Sequence, residues 1–312
     1  IYFLGTPFVM LYNYGTAVLR AIGDTRRPLV FLLISGLCNL LLNLYTVVVL
    51  QWDVAGVGIA TILSQLLSAI LVLGCLSREQ GHWRYHWKRL TVDLSALQEM
   101  ARIGVPAGLQ ACLFSLSNVV IQSALNAFGS VTVAANSAGA NVENFLYIAM
   151  NSFHQASMTF VSQNLGAGKW QRVKRVAKTC LCLTVVLGIG EWFCMDFFVS
   201  DLIQLFNGNA AVVVEGANRL RWVGRWYIIF GCADVLIGSI RGFGITWVPM
   251  LINLLGTCAF RLLWIGFLDI PQCGVEMVYL SYPLSWILIL IIFVGYWALL
   301  VRKYERLYAA ES

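Results

Sequence analysis

Residues 277–300 read MVYLSYPLSWILILIIFVGYWALL, 24 consecutive residues without an Asp, Glu, Lys or Arg. The hydrocarbon core of a bilayer is about 30 Å thick, so at about 1.5 Å of rise per residue roughly 20 apolar residues cross it as a helix. This stretch is long enough to cross, and it is apolar on most faces. Working outward from it, the same pattern recurs along the chain. Nine spans are expected, near 1–19, 29–50, 54–76, 104–127, 133–162, 177–200, 222–240, 247–268 and 276–300. Membrane strands would instead be about ten residues long and alternate apolar with polar positions, which these runs do not. The expected fold class is therefore all-α, a polytopic membrane helix bundle.

Composition agrees. Of 312 residues, 59% are apolar and 12% charged, with a mean hydropathy of +0.77; a soluble domain is roughly 25% charged. The nine cysteines form no C-x-x-C pair and read as small apolar packing residues. No signal peptide is evident, and the abrupt first span, without a leading Met or polar segment, gives the expectation of a chain cut from a longer one.

Most of the 21 basic residues fall in alternate links. Arg20, Arg26 and Arg27 follow span one; Arg78, Arg84, Lys88, Arg89 and Arg102 follow span three; Lys169, Arg172, Lys174, Arg175 and Lys178 follow span five; Arg302, Lys303 and Arg306 close the chain. By the positive-inside rule these links and the C-terminus are cytoplasmic. Arg219, Arg221 and Arg225, before span seven, run against the rule. Trp83 and Trp87, followed by Leu94, Leu97 and Met100, suggest an interfacial stretch and a short helix over 83–103. The basic residues lie in short links without a soluble module, which argues against a nucleic-acid partner. The glycines before Lys169 do not make a phosphate loop, because Trp170 stands where that motif needs Ser or Thr.

One short pattern occurs twice. Arg20, Gly23, Thr25 and Pro28 recur as Arg241, Gly244, Thr246 and Pro249, at a constant offset and after spans one and seven. At a tight link, Arg can hold the last helical carbonyls, Gly can take the left-handed position, Thr can cap the next helix and Pro fits its first turn. If spans one to three match spans seven to nine, then spans four to six should match three helices preceding this chain. The expected parent has twelve helices in two pseudo-symmetric lobes, a parallel repeat of the transporter kind. Residues 1–92 are then the second half of the first lobe with its linker, and 93–312 the complete second lobe.

Ionisable and polar side chains within spans are the candidate pathway residues. Asn136, Glu143, Tyr147, Asn151 and His154 share one stripe of span five, and Ser115, Asn118, Gln122 and Asn126 one face of span four. Together they would line a wet wall. Glu143 is either ion-linked or a structural hydrogen-bonding group; His154 reads first as a packed, hydrogen-bonded residue and second as a proton relay. Asp234 in span seven and Arg261 in span eight are expected to pair, directly or through water. Asn39 and Asn43 in span two hydrogen-bond across helices or touch substrate. Gly56, Gly58 and Ala60 suit close helix packing.

The order and spacing of several segments resemble the multidrug and toxic compound extrusion (MATE) transporters of the wider exporter superfamily. They are LRAIGDTRRP at 19–28, NLLLN at 39–43, GVGIAT at 56–61, IGVPAG at 103–108, SQNLGAGK at 162–169 and the RGFG link at 241–244. The resemblance implies helices four to twelve of a secondary exporter of cationic or amphipathic organic compounds, driven by Na⁺ or H⁺ antiport, without cofactor or metal. Its implied surroundings are the bilayer and small-molecule substrates, with no obligate protein partner. Where one branch carries an acidic residue in span four this chain has Phe114, which leaves the ion open. The alternative is a flippase for lipid-linked oligosaccharides, which would want an Arg- and Lys-rich cavity, and only Arg261 is a candidate for that. A membrane enzyme would need a clustered acid, base or metal site, and none is legible.

Overall fold

The computed structural model describes residues 2–81, 84–86, 93–267 and 274–310. Trp83, Trp87, Lys88, Arg89, Cys273 and the terminal Ser312 lie outside them. The described residues form helices and no strand, as a chain in lipid requires when every peptide group must be satisfied within its own segment. They divide into two compact units, 1–93 and 94–312.

In the first unit a 3₁₀ turn, Tyr2–Gly5, leads into α1 (Thr6–Ala21); α2 (Arg26–Leu44) continues as a π turn, Tyr45–Val49; α3 is Asp53–Arg78. α3 packs along both α1 and α2. Leu19, Val72 and Leu76 form its buried centre, and Gly15 brings α1 onto Val72, whose methyls lie within 2.9 Å of where a Cβ would stand. Gly56 likewise meets Thr46 of the π turn at 3.0 Å. Asn39 donates to Ser64 Oγ at 3.1 Å and Asn43 donates to Asn39 Oδ1 at 3.0 Å. Asn39 thus hydrogen-bonds α2 to α3, while Asn43 bonds Asn39 within α2.

The second unit contains α4 (Leu94–Asn126), α5 (Ser130–Gly166), α6 (Trp170–Gln204), α7 (Ala210–Gly224), α8 (Tyr227–Arg241), α9 (Trp247–Asn253), a π turn at Leu254–Ala259, α10 (Phe260–Phe267) and α11 (Val275–Ala310). α7 and α8 meet at a 48° bend. Of the nine expected spans, six are long and apolar enough to cross a membrane, and the bent pair makes a seventh. The two others differ for separate reasons. α1 has only 16 residues, and α5, at 37 residues, is long enough but carries the polar stripe. The short helix expected over 83–103 is not separate: from Leu94 one helix runs 33 residues to Asn126, through the buried Pro106.

Both repeat links turn on a left-handed glycine, Gly23 at φ +89° and Gly244 at φ +77°, a conformation that costs glycine little and L side chains much. Pro28 and Pro249 occupy first turns as expected. The Arg and Thr roles are different from those expected. Arg20 reaches Thr16 Oγ1 at 3.5 Å and Arg241 reaches Gln110 Oε1 at 2.8 Å, and neither side chain bonds a backbone carbonyl among the described residues. Neither threonine caps through its side chain. Asp24 caps α2 instead, accepting from the Arg26 and Arg27 N–H groups at 3.1 and 3.2 Å, while Thr246 donates to the Arg102 carbonyl at 3.3 Å. A carboxylate one residue earlier has the better reach to the first amides.

The basic end of the second unit is one packed cluster. Trp170 at the start of α6 stacks on Tyr304 of α11 at 5.4 Å and meets Phe243, just beyond α8, edge-on at 6.2 Å. Lys174 bonds Glu305 at 2.7 Å beside it. The α5–α8 crossing is built on two glycines of one α8 face and a third at its C-cap. A Cβ on Gly231, Gly238 or Gly242 would fall 2.6 Å from Met150 Sδ, 2.5 Å from the His154 carbonyl oxygen and 2.8 Å from Val161 respectively. Ser157 and Ser239 join across the same seam at 2.6 Å.

Glu191 lies on the buried stripe of α6, 8% exposed, with neither carboxylate oxygen hydrogen-bonded among the described residues. A buried polar group without a partner costs about 1–3 kcal/mol. Glu191→Leu is therefore expected to raise the melting temperature of the detergent-solubilised protein, and a fall would mean that the carboxylate has a stabilising partner.

Candidate transport site

The polar faces of α4 and α5 meet as expected: Asn136 donates to Gln122 Oε1 at 2.6 Å. They wall a cavity of about 390 Å³ that α7, α8, α10 and α11 also border. Asn118, Gln122, Asn136, Glu143 and Tyr147 line it, together with Arg219 and Arg261. A second cavity, of about 500 Å³, lies along the middle of α4 and is lined by Gln110, Ser115, Asp234, Arg241 and Asn253. Phe114, Asn118, Tyr147, Phe230 and Trp286 border both cavities. The stripe of α5 is therefore split. Asn151 donates to Tyr147 OH at 3.5 Å, His154 is buried against α8, and Asn126, at the end of α4, is exposed.

Glu143 is paired by a residue that the sequence had placed in an outer link. Arg219 Nη1 and Nη2 donate to its two carboxylate oxygens at 2.8 and 3.0 Å. The Arg219 side chain is 3% exposed and that of Glu143 14%. Gly139 makes room, since a Cβ there would be 2.6 Å from Arg219 Nη1. Arg219 belongs to α7 because that helix begins at Ala210, before the expected start of span seven. Its departure from the charge rule was the available signal: an acid inside span five needs a base, and Arg219 lay on the apolar face of a helical segment.

Asp234 and Arg261 make no direct contact; the structure gives each its own partners. His154 Nδ1 lies 2.8 Å from the Asp234 carbonyl oxygen and 3.0 Å from its Oδ1. A carbonyl only accepts, so Nδ1 carries the hydrogen and donates. Oδ2 of Asp234 is buried without a hydrogen bond among the described residues. Arg261 is 3% exposed, donates from Nε to Ser285 Oγ at 3.0 Å and lies over the Tyr282 ring at 4.1 Å. α8 carries Asp234 toward α5 and the second cavity, while α10 presents Arg261 to α11 and the first. Tyr282, Trp286, Tyr227 and Phe230 were not foreseen as site residues; in a chain rich in membrane aromatics, sequence spacing does not separate wall rings from lipid-facing ones.

Up to seven candidate crossings among the described residues, a helical lobe and polar cavities define a multi-pass membrane protein of transporter architecture. The MatE family model matches residues 106–264, slightly more than half of the chain, and the chain belongs to that family. Among curated relatives it is 24% identical to the probable multidrug resistance protein YoeA of Bacillus subtilis, over 97% of this chain and 67% of the relative. It is 28% identical to a protein named FAD transporter in Shewanella oneidensis, over 77% of this chain and 52% of the relative. The chain thus spans about half to two thirds of the length of these relatives. A solved transporter of the MOP superfamily from Pyrococcus furiosus superposes with a TM-score of 0.89 at 15% identity, covering 96% of this chain and 68% of that one.

Proposed function

We propose that this chain forms part of a secondary active exporter that moves amphipathic organic compounds across the inner or plasma membrane, in exchange for Na⁺ or H⁺, by alternating access. The observation that carries this reading is the pair of cavities inside an apolar helical lobe, each holding a carboxylate, Glu143 in one and Asp234 in the other. Glu143 is committed to Arg219, whereas one buried oxygen of Asp234 is unbonded among the described residues. Asp234 is therefore the better ion-exchanging group, with His154 holding its other oxygen. The aromatic border suits a substrate with a flat apolar body. The basic cluster around Lys174, Arg241 and the end of α11 supports a cytoplasmic C-terminus. The name multidrug resistance protein carried by the Bacillus relative agrees with export.

The flippase reading gains one observation, because Arg219, Arg241 and Arg261 all line cavities. Two of them have partners already, and about 390 Å³ is small for a lipid-linked oligosaccharide. The test is efflux by the intact gene product in everted vesicles, with cationic and anionic fluorescent dyes under imposed H⁺ or Na⁺ gradients. Gradient-dependent dye movement that Asp234→Asn abolishes is the expected result. No movement of any dye under either gradient, with the protein demonstrably inserted, would overturn the reading.

A further inference from the structure

The charges around the first cavity do not balance. Arg219 and Glu143 neutralise each other through two hydrogen bonds. Arg261 remains. Its contacts are a serine hydroxyl and two aromatic rings, Tyr282 at 4.1 Å and Trp286 at 5.9 Å, none of which carries a negative charge. Nε–H is taken by Ser285, and the Nη–H donors, four of the five on a guanidinium, have no hydrogen-bond acceptor among the described residues. Arginine does not shed its proton in a protein, and a buried, unpaired charge is costly. Among the described lining residues the cavity thus carries one more positive than negative charge. An anion entering it lowers that cost, and a cation raises it.

We propose that this cavity binds the anionic group of an aromatic organic compound, a carboxylate, sulfonate or phosphate, on the Arg261 guanidinium. The proposal rests on the transporter reading for its biological sense and names the substrate class of the same site. Guanidinium recognises planar or tetrahedral oxyanions through paired N–H donors, and such charge-assisted bonds are short and strong. The ring surfaces of Phe114, Tyr147, Phe230 and Trp286 take the apolar body. Trp286 is held for this by Tyr227 and Tyr282, packed edge-on at 5.3 and 6.0 Å. The volume suits a small aromatic molecule.

The experiment is equilibrium dialysis of the full chain in lipid nanodiscs against two probes with the same body and opposite charge, naphthalene-2-sulfonate and 2-naphthyltrimethylammonium. The sulfonate is expected to bind at least about ten-fold more tightly, the scale of one charge-assisted hydrogen bond. Arg261→Met should remove that preference, while Arg261→Lys, which keeps the charge and loses the fork, should retain part of it. A tighter ammonium, or a sulfonate affinity unchanged in folded Arg261→Met, would overturn the proposal. If Arg261→Met does not fold, the comparison of the two probes on the unaltered chain decides alone. Binding is read without transport, so anion selectivity without efflux would leave this site standing and remove the exporter reading. Efflux of cations indifferent to Arg261→Lys, with no sulfonate binding, would do the reverse.

Discussion

Arg219→Met is expected to destabilise the second unit by about 3–5 kcal/mol, the usual cost of leaving one member of a buried ion pair without its partner. The stranded group is Glu143, whose two oxygens both bond Arg219 and whose side chain is 14% exposed. Glu143→Leu alone strands the guanidinium instead and should cost a similar amount. The double variant Glu143→Leu with Arg219→Met removes both charges and is expected to recover most of the loss, since an apolar pair of similar volume often replaces a buried ion pair at little cost. Denaturant unfolding of the four proteins in detergent gives the coupling directly. Losses that simply add would show that the two side chains do not meet.

Gly238→Val is expected to do comparable damage by a steric route. The new Cβ would stand 2.5 Å from the His154 carbonyl oxygen. That atom is backbone, so no rotamer change relieves the clash and α8 must move away from α5. Overpacking typically costs about 1–3 kcal/mol, and a rigid neighbour puts this site at or above the upper end. The movement would also stretch the Ser157–Ser239 and His154–Asp234 bonds. Gly190→Val is the control, because nothing lies within 4 Å of a Cβ there. Size-exclusion profiles and melting temperatures of the two variants test the seam; equal behaviour would mean that α5 and α8 do not approach this closely.

Helix content and the approximate place of each crossing were legible because they depend on local properties, apolar length and the need to bond every peptide group within the segment. The repeat links were legible for the same reason: Gly23 and Gly244 take the left-handed turn that their position after a helix suggested. The polar faces of α4 and α5 followed from spacing along one helix. The three glycines of α8 and its C-cap were in plain view at spacings of seven and four, but only the packed structure shows which atoms each one meets.

Pairing was not legible. Arg219 lies 76 residues from Glu143 and His154 lies 80 from Asp234, and nothing in either neighbourhood specifies the partner. Asp234 and Arg261 looked like a pair because both are charges at membrane depth, yet they face different cavities. Local sequence determined that this chain is a bundle of membrane helices, where its links fall and which helix faces are polar, since a helix and its link are settled by residues within a few turns. The tertiary structure alone decided which charges are neutralised and which one, Arg261, is left facing the cavity. That outcome depends on the rotation and crossing of helices far apart in the chain, which are set by packing over the whole lobe.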